Sequence, residues 1–418
     1  MAAHTEINKD TELVSLTEST SEIARRHMQD DSSPLFIVDL SVVLKQLLLW
    51  EEHLPRVRPL YAMKANDDDR VCRLLIDHGV GMEVASKHEM QKCVEWGVPR
   101  ENILFGAPVK ENSHIKYAQI QGITRCVADS LSELEKISLL YPEASVNMRI
   151  AVNDSEARCR FSSKFGLFES EWCPFIERAC ELGINLCGVS FHVGSGGSGP
   201  LAFFDAIEMA KNAFELAKDY GYHFKHLDVG GGFAGSDSAT FEFSVVASAI
   251  NVALDEFFPE RDCVNVFAEP GRFFVAKSHT YAVSVIGKRA VLQEHLVDSD
   301  AIERPSLERS SEHDSADRAE VALWINDGLY GCFNCAVFDH ATIIPDSFIM
   351  KTAEGRVQKT KIFGPTCDSI DVVVQCTNMP PMEVNDKILF ADMGAYTRSA
   401  ASRFNGYGYY RVLYVNRE

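Results

Sequence analysis

From Leu35 onward, short apolar runs alternate with segments of helical period, the pattern of a parallel sheet with crossover helices. After a lead-in at Leu35–Leu40, eight runs read as strands: Pro59–Met63, Gly81–Ala85, Ile103–Gly106, Thr124–Ala128, Val146–Val152, Cys187–His192, Lys225–Val229 and Val264–Ala268. Between them, Arg70–His78, Lys87–Trp96, Leu131–Leu140, Glu171–Leu182, Phe203–Tyr220 and Phe243–Phe258 carry helical patterns. In Phe203–Tyr220, the residues Phe204, Ile207, Ala210, Lys211, Phe214 and Ala217 fall mainly on one helical face. Eight βα units predict an α/β fold with a closed (β/α)8 TIM-like barrel, with a doubly wound open sheet as the alternative. After Phe274 the rhythm changes: Thr280–Lys288, Val321–Ile325, Asp371–Cys376, Lys387–Phe390 and Arg411–Val415 read as strands without strong helices between them. The expected organisation is a polar N-terminal segment over 1–33, disordered in part or loosely docked, a barrel over 34–274, and a C-terminal β domain over 275–418. Within the last, 292–320 is polar enough to be an exposed, mobile insertion.

Composition narrows the function classes. The chain has 418 residues, 46% hydrophobic and 24% charged, with a net charge of −19. So negative a chain has no general affinity for nucleic acid or an anionic membrane. The apolar stretch Val42–Trp50 is broken by Lys45 and Gln46, and no membrane span or secretory signal is expected. The twelve cysteines are scattered, and Cys332-x-x-Cys335 lacks the second pair or nearby histidine of a zinc site, so no metal is expected. A reducing cytoplasm fits this usage.

Barrel chemistry gathers where strands end, and several unusual residues sit there. Lys64 closes Tyr61-Ala62-Met63 and could form a Schiff base, though a solvated lysine would also suit a strand end. Leu227-Asp228-Val229 runs into Gly230, Gly231 and Gly232, which let backbone N–H groups approach a phosphate. In Ser190–Gly196, His192 could stack on an aromatic ring, and Ser195 could donate to a phosphate oxygen. Glu269, followed by Gly271 and Arg272, suits a ligand with one cationic and one anionic end. Cys367, in Gly364–Asp371, is a turn thiol able to donate a proton. Asp339, in Phe338-Asp339-His340, could bind a substrate ammonium. Each also has a purely structural explanation when taken alone.

Taken together and in order, Tyr61–Asn66, Ser190–Gly196, Asp228–Phe233, Ala268–Phe273, Asn326–Cys335, Gly364–Asp371 and Gly394–Gly406 resemble the eukaryotic-type ornithine decarboxylase family, within the alanine-racemase-like pyridoxal-phosphate enzymes. The resemblance runs from about Pro34 to Val415. It implies pyridoxal 5'-phosphate as cofactor, Lys64 as the Schiff-base lysine, His192 stacked on the ring and Glu269 against the pyridinium nitrogen. It implies a phosphate cradle of Ser195, Gly231, Gly232, Gly271, Arg272 and Tyr396, with Glu83 and Arg160 close to the cofactor. Cys367 matches the residue that protonates the substrate carbon after carbon dioxide leaves. Asp339 and Asp368 match the pair that holds the distal amine, with Phe338 and Phe404 nearby. The family works as a homodimer with shared sites, to which the partner chain brings Cys367, Asp368 and Phe404; Lys164 and Asp371 match a salt bridge across that dimer.

The match has departures. Glu83 stands where the family usually carries aspartate, and Phe338 where an aromatic hydroxyl is common. The long destabilising tail of vertebrate relatives is not expected. A lysine or arginine decarboxylase of the same fold and an inactive regulatory homologue are the rival readings. Diaminopimelate decarboxylase and racemase chemistry fit less well, and no sequence feature supports an antizyme-like regulator.

Overall fold

The computed structural model describes residues 11–196, 199–236, 240–291, 319–350 and 355–417. These form two compact units, one built on Leu40–Ser278, the other on Glu12–Asp39 with the chain from His279 onward.

The first unit is a closed barrel of eight parallel strands: Val57–Ala62, Gly81–Val84, Ile103–Phe105, Arg125–Ala128, Ser145–Arg149, Asn185–Ser190, His226–Asp228 and Asn265–Ala268. Neighbours in sequence are neighbours in the barrel, and the eighth strand closes on the first through Val266↔Val57 and Ala268↔Pro59. All eight expected strands are present. They are short and apolar because both faces are covered: Leu60, Leu104, Val127 and Phe267 meet in one buried cluster.

Outer helices follow the strands and bury their apolar stripes. The longest, Pro200–Asp219, starts on a proline at its first turn, where a missing N–H costs no hydrogen bond. It buries Phe203, Ala206, Ile207, Ala210, Ala213, Phe214 and Ala217. The buried face is therefore turned slightly from the expected one. Phe203 and Ala213 replace Phe204 and Lys211, whose amine pairs with Glu215 at 3.1 Å instead. Two of the outer helices lie outside the expected set. Leu40–His53 contains the apolar stretch Val42–Trp50, in which Lys45 and Gln46 argue against a membrane span; Gln46 is buried and donates to Phe273 O at 2.7 Å. Asn112–Gln121 buries only Ile115 and Ala118, too few to show a period.

The second unit is a mixed sheet. Among the described strands its path runs Thr11–Val14, Arg411–Arg417, Leu35–Asp39, His279–Ala290, Val321–Ile325, Gln358–Phe363 and Val372–Met379, with Lys387–Phe390 and Ser347–Ile349 attached to it. Two boundaries differ from expectation. Leu35–Asp39 pairs with His279–Ala282 and with Arg411–Val415, so it belongs to this sheet and the barrel unit begins at Leu40. Within 1–33, Thr20–His27 is a helix, capped by reciprocal Ser19 and Glu22 bonds, whose Ile23 and Ala24 bury against Leu35, Ala282 and Val415. Its apolar residues are few but correctly spaced. Residues 1–10 and nearly all of the 292–320 insertion lie outside the described residues.

Candidate active site

The carboxyl ends of the barrel strands carry the polar residues. Lys64 lies in a 3-10 turn, Met63–Ala65, immediately after the first strand. Its amine is paired with Glu83, whose side chain is only 3% exposed on the second strand. The long acid thus reaches the lysine directly.

The sixth strand ends at Ser190, and His192 follows two residues later. Phe161 packs edge-on against its ring at 4.8 Å, and its Nδ1 accepts from Gly194 N at 3.0 Å, so any proton on the neutral ring sits on Nε2. Burial, then the Arg149 and Lys64 charges, holds the imidazole well below the usual histidine range. Asp228 ends the seventh strand and accepts from Gly230 N at 2.9 Å, fixing the start of the glycine run. Gly232 sits at φ +107, beside Gly194 O, a conformation and spacing open only to glycine. A Cβ on Gly231 would meet His192 Nε2 at 2.8 Å and Glu269 O at 2.9 Å. Glu269 follows the eighth strand directly. Burial, then the Asp228 and Glu83 charges, pushes its carboxyl well up. Burial likewise lifts Asp228 to about 6. Arg272 opens a short helix and donates to Ser195 Oγ at 3.2 Å.

Lys64, Glu83, His192, Ser195, Gly231, Gly232, Glu269, Gly271 and Arg272 therefore lie where the sequence put them, at the ends of the first, second, sixth, seventh and eighth strands. Arg160 is exposed and donates to Ser155 O at 2.6 Å within its own loop. The arginine whose charge reaches His192, Glu269 and Asp228 is Arg149, the last residue of the fifth strand. Sequence reading passed over Arg149 although it closes a strand just as Lys64 does.

The arrangement fits a small aromatic ligand bearing an aldehyde and a phosphate. The amine of Lys64 can meet the aldehyde, His192 offers a flat neutral face, Glu269 an acid for a ring nitrogen, and Arg272 with Ser195 and the glycine loop a set of donors for the anion.

The remaining predicted residues lie in the second unit. Cys367 is exposed in a turn. Next to it, Asp368 accepts from Tyr330 OH at 2.5 Å, a bond that is the main cause of its lowered carboxyl pKa. Tyr330 also stacks on Phe404 at 4.4 Å. Sequence reading gave Tyr330 no role, although it falls inside the Asn326–Cys335 motif. Asp371 is buried, accepting from Leu329 N at 2.8 Å and Thr366 Oγ1 at 2.7 Å, and so ties the Tyr330 and Cys367 loops together. Asp339 is buried at the end of the helix Cys335–Phe338, while Phe338 points to solvent and is 72% exposed. Tyr396 sits at φ +58.

Comparisons with known proteins agree with this chemistry. Residues 40–276 match the family described as "Pyridoxal-dependent decarboxylase, pyridoxal binding domain". Ornithine decarboxylase of Mus musculus is 40% identical over 386 residues, 92% of this chain and 81% of the mouse protein. Antizyme inhibitor 2 of Xenopus laevis is 38% identical over 386 residues, 92% of this chain and 82% of its own length. The crystal structure of the arginine decarboxylase of Paramecium bursaria Chlorella virus superposes with a TM-score of 0.83 at 30% identity, covering 94% of this chain and 98% of the viral one.

Proposed function

The chain belongs to the pyridoxal-dependent decarboxylases, and we propose that it converts L-ornithine to putrescine, the first commitment of carbon to polyamines, as a cytoplasmic homodimer with shared sites. The observation that carries this reading is the convergence of Lys64, Glu83, His192, Glu269 and Arg272 on one end of the barrel. Substrate choice rests on the relatives named ornithine decarboxylase at 37–40% identity. Twelve free thiols support a reducing compartment. Among the described residues no helix is long and apolar enough to cross a membrane.

When bound, pyridoxal phosphate supplies the electron sink for the pair released as carbon dioxide leaves. Lys64 anchors it covalently, and Glu83 holds the amine and can take the proton that a nucleophilic amine must shed. Glu269 shares its desolvated surroundings with Asp228 and Glu83, and it would hold a proton on a ring nitrogen placed against it. Ser195, Gly231, Gly232, Gly271 and Arg272, with Tyr396, hold the phosphate. Arg149 takes the place beside the cofactor first given to Arg160. From the second chain of the dimer, Cys367 delivers a proton to the substrate carbon. Asp368, held in place by Tyr330, and Asp339 take the distal ammonium, with Phe404 beside it. Phe338 flanks that pocket only through its ring.

Two negative charges suit a side chain ending in one ammonium, while one extra methylene is worth only about 1–3 kcal/mol, so lysine is the nearest competitor. The similarity to an antizyme inhibitor gives a second reading, a regulatory homologue, against which the intact Lys64–Glu83 pair and Glu269 weigh. The test is decarboxylation of ornithine, lysine and arginine by wild type and Asp368→Ala. Ornithine should give the highest kcat/KM, and Asp368→Ala should raise KM for it by about tenfold or more with cofactor absorbance intact. A higher kcat/KM for lysine or arginine would overturn the substrate assignment, and an unchanged kcat/KM in Asp368→Ala the amine site. No turnover on any of the three, with no cofactor absorbance, would favour the regulatory homologue.

A further inference from the structure

Gly106 follows the third barrel strand, where its amide donates to Val84 O at 3.0 Å. It is not among the glycines with positive φ, so the backbone does not call for glycine there. Space does. A Cβ at 106 would lie 2.4 Å from Glu83 Oε1, 2.8 Å from Cγ and 2.9 Å from Cδ. The overlap runs along the stem of the glutamate, so turning the carboxylate alone cannot relieve it. Nor can Glu83 swing into water, because its side chain is 3% exposed. Inward movement is opposed as well, since Glu89, Asp228 and Glu269 all feel its charge. Its other oxygen, Oε2, is the one that meets Lys64.

We propose that Gly106 is a positioning residue for the Lys64 amine: its missing side chain is the slot in which Glu83 lies extended and reaches Nζ. The acid at 83 and the size of residue 106 then form one unit. A glutamate needs glycine opposite, whereas an aspartate, drawn back by one methylene, would leave room for alanine. This rests on the reading that Lys64 anchors the cofactor. The slot is a property of this chain's own side chains, so it can be measured through cofactor binding and folding as well as turnover.

The experiment compares wild type with Gly106→Ala, Glu83→Asp and the double variant. Pyridoxal phosphate is titrated into each cofactor-free protein and followed by visible absorbance, beside the thermal midpoint of the apoprotein. Gly106→Ala should bind the cofactor about tenfold to a hundredfold more weakly, the scale of a misplaced reacting group. Adding Glu83→Asp to it should restore affinity to within about threefold of Glu83→Asp alone, because the two sites are coupled. Wild-type affinity in Gly106→Ala would overturn the proposal, as would a double variant no better than Gly106→Ala. If Gly106→Ala fails to fold, the double variant decides. A folded, cofactor-binding double supports the slot, and an unfolded one assigns Gly106 to some other packing and overturns it. Borohydride reduction of the wild type with peptide mapping keeps the two readings apart. Label on another lysine would overturn the Lys64 anchor and this inference with it, whereas label on Lys64 without coupling would overturn this inference alone.

Discussion

Asp228→Asn should flatten part of the pH dependence of the cofactor-free protein. Asp228 is buried, and one oxygen already serves Gly230 N, a bond that an asparagine oxygen can keep. Its other oxygen, Oδ2, has no hydrogen-bond partner among the described residues. Burial, partly offset by the Gly230 bond and Arg125, lifts the carboxyl from 3.8 to about 6. The folded state therefore binds this proton more tightly than the unfolded one. Its contribution to stability is fully present below the unfolded pKa and is lost as pH rises through the folded pKa. A rise of that size is worth about 3 kcal/mol, of which roughly 2 kcal/mol falls between pH 4.5 and 7. Asparagine cannot ionise, so the variant should gain that amount on wild type across the window. Relief of Glu269, which feels the Asp228 charge, adds in the same direction. Urea unfolding of both apoproteins, followed by the fluorescence of the buried Trp50 and Trp172, reads the difference. Two curves that stay parallel from pH 4.5 to 8 would refute the argument, since a constant offset would mean that Asp228 does not titrate there.

Two further predictions follow from the assigned roles. Borohydride reduction of the holoenzyme, then peptide mapping, should place the pyridoxyl group on Lys64, and label on any other lysine would remove that assignment. Mixing inactive Lys64→Ala with inactive Cys367→Ala should restore about a quarter of full activity, because random subunit exchange gives half the dimers one intact site each; exchange demonstrated by mass with no recovery would contradict a shared site.

The barrel was legible because each buried strand is a short apolar run, and eight such runs at regular spacing leave few alternatives. The missed elements are those whose burial is partial. Gln358–Phe363 carries Lys359 and Lys361 and is not among the expected strands, although Thr360 and Ile362 are buried. Within the site, Lys64 and Glu269 stood out because an ionisable residue closing an apolar strand is conspicuous. Arg149 did not, for a specific reason: the fifth strand was read to Val152, which leaves Arg149 in mid-strand, whereas it ends at Arg149 itself. An error of three residues hid a strand-end charge. The contacts that tune the site were beyond any local reading. Tyr330 lies 38 residues from Asp368, and nothing around either position signals the bond between them.

What sequence pattern and site share is a conflict that the fold resolves at one place. A barrel interior favours apolar side chains, yet its strand ends gather Glu83, Asp228 and Glu269 around Lys64 and Arg149. Burial, and then the charges of neighbouring acids, raises the carboxyls of Asp228 and Glu269, and the nearby cations offset only part of that cost. Such a cluster does nothing for stability that hydrophobic residues would not do better. Under the proposed function, a ligand bringing a cationic ring nitrogen to Glu269 and an anionic phosphate to Arg272, at opposite ends of one molecule, would account for its retention. By mass action, a ligand that binds only the folded chain adds to its stability what the cluster subtracts. The residues that break the apolar rhythm of the strands are thus the ones the chemistry requires, and the stretches between them are regular because they serve only to hold those residues in place.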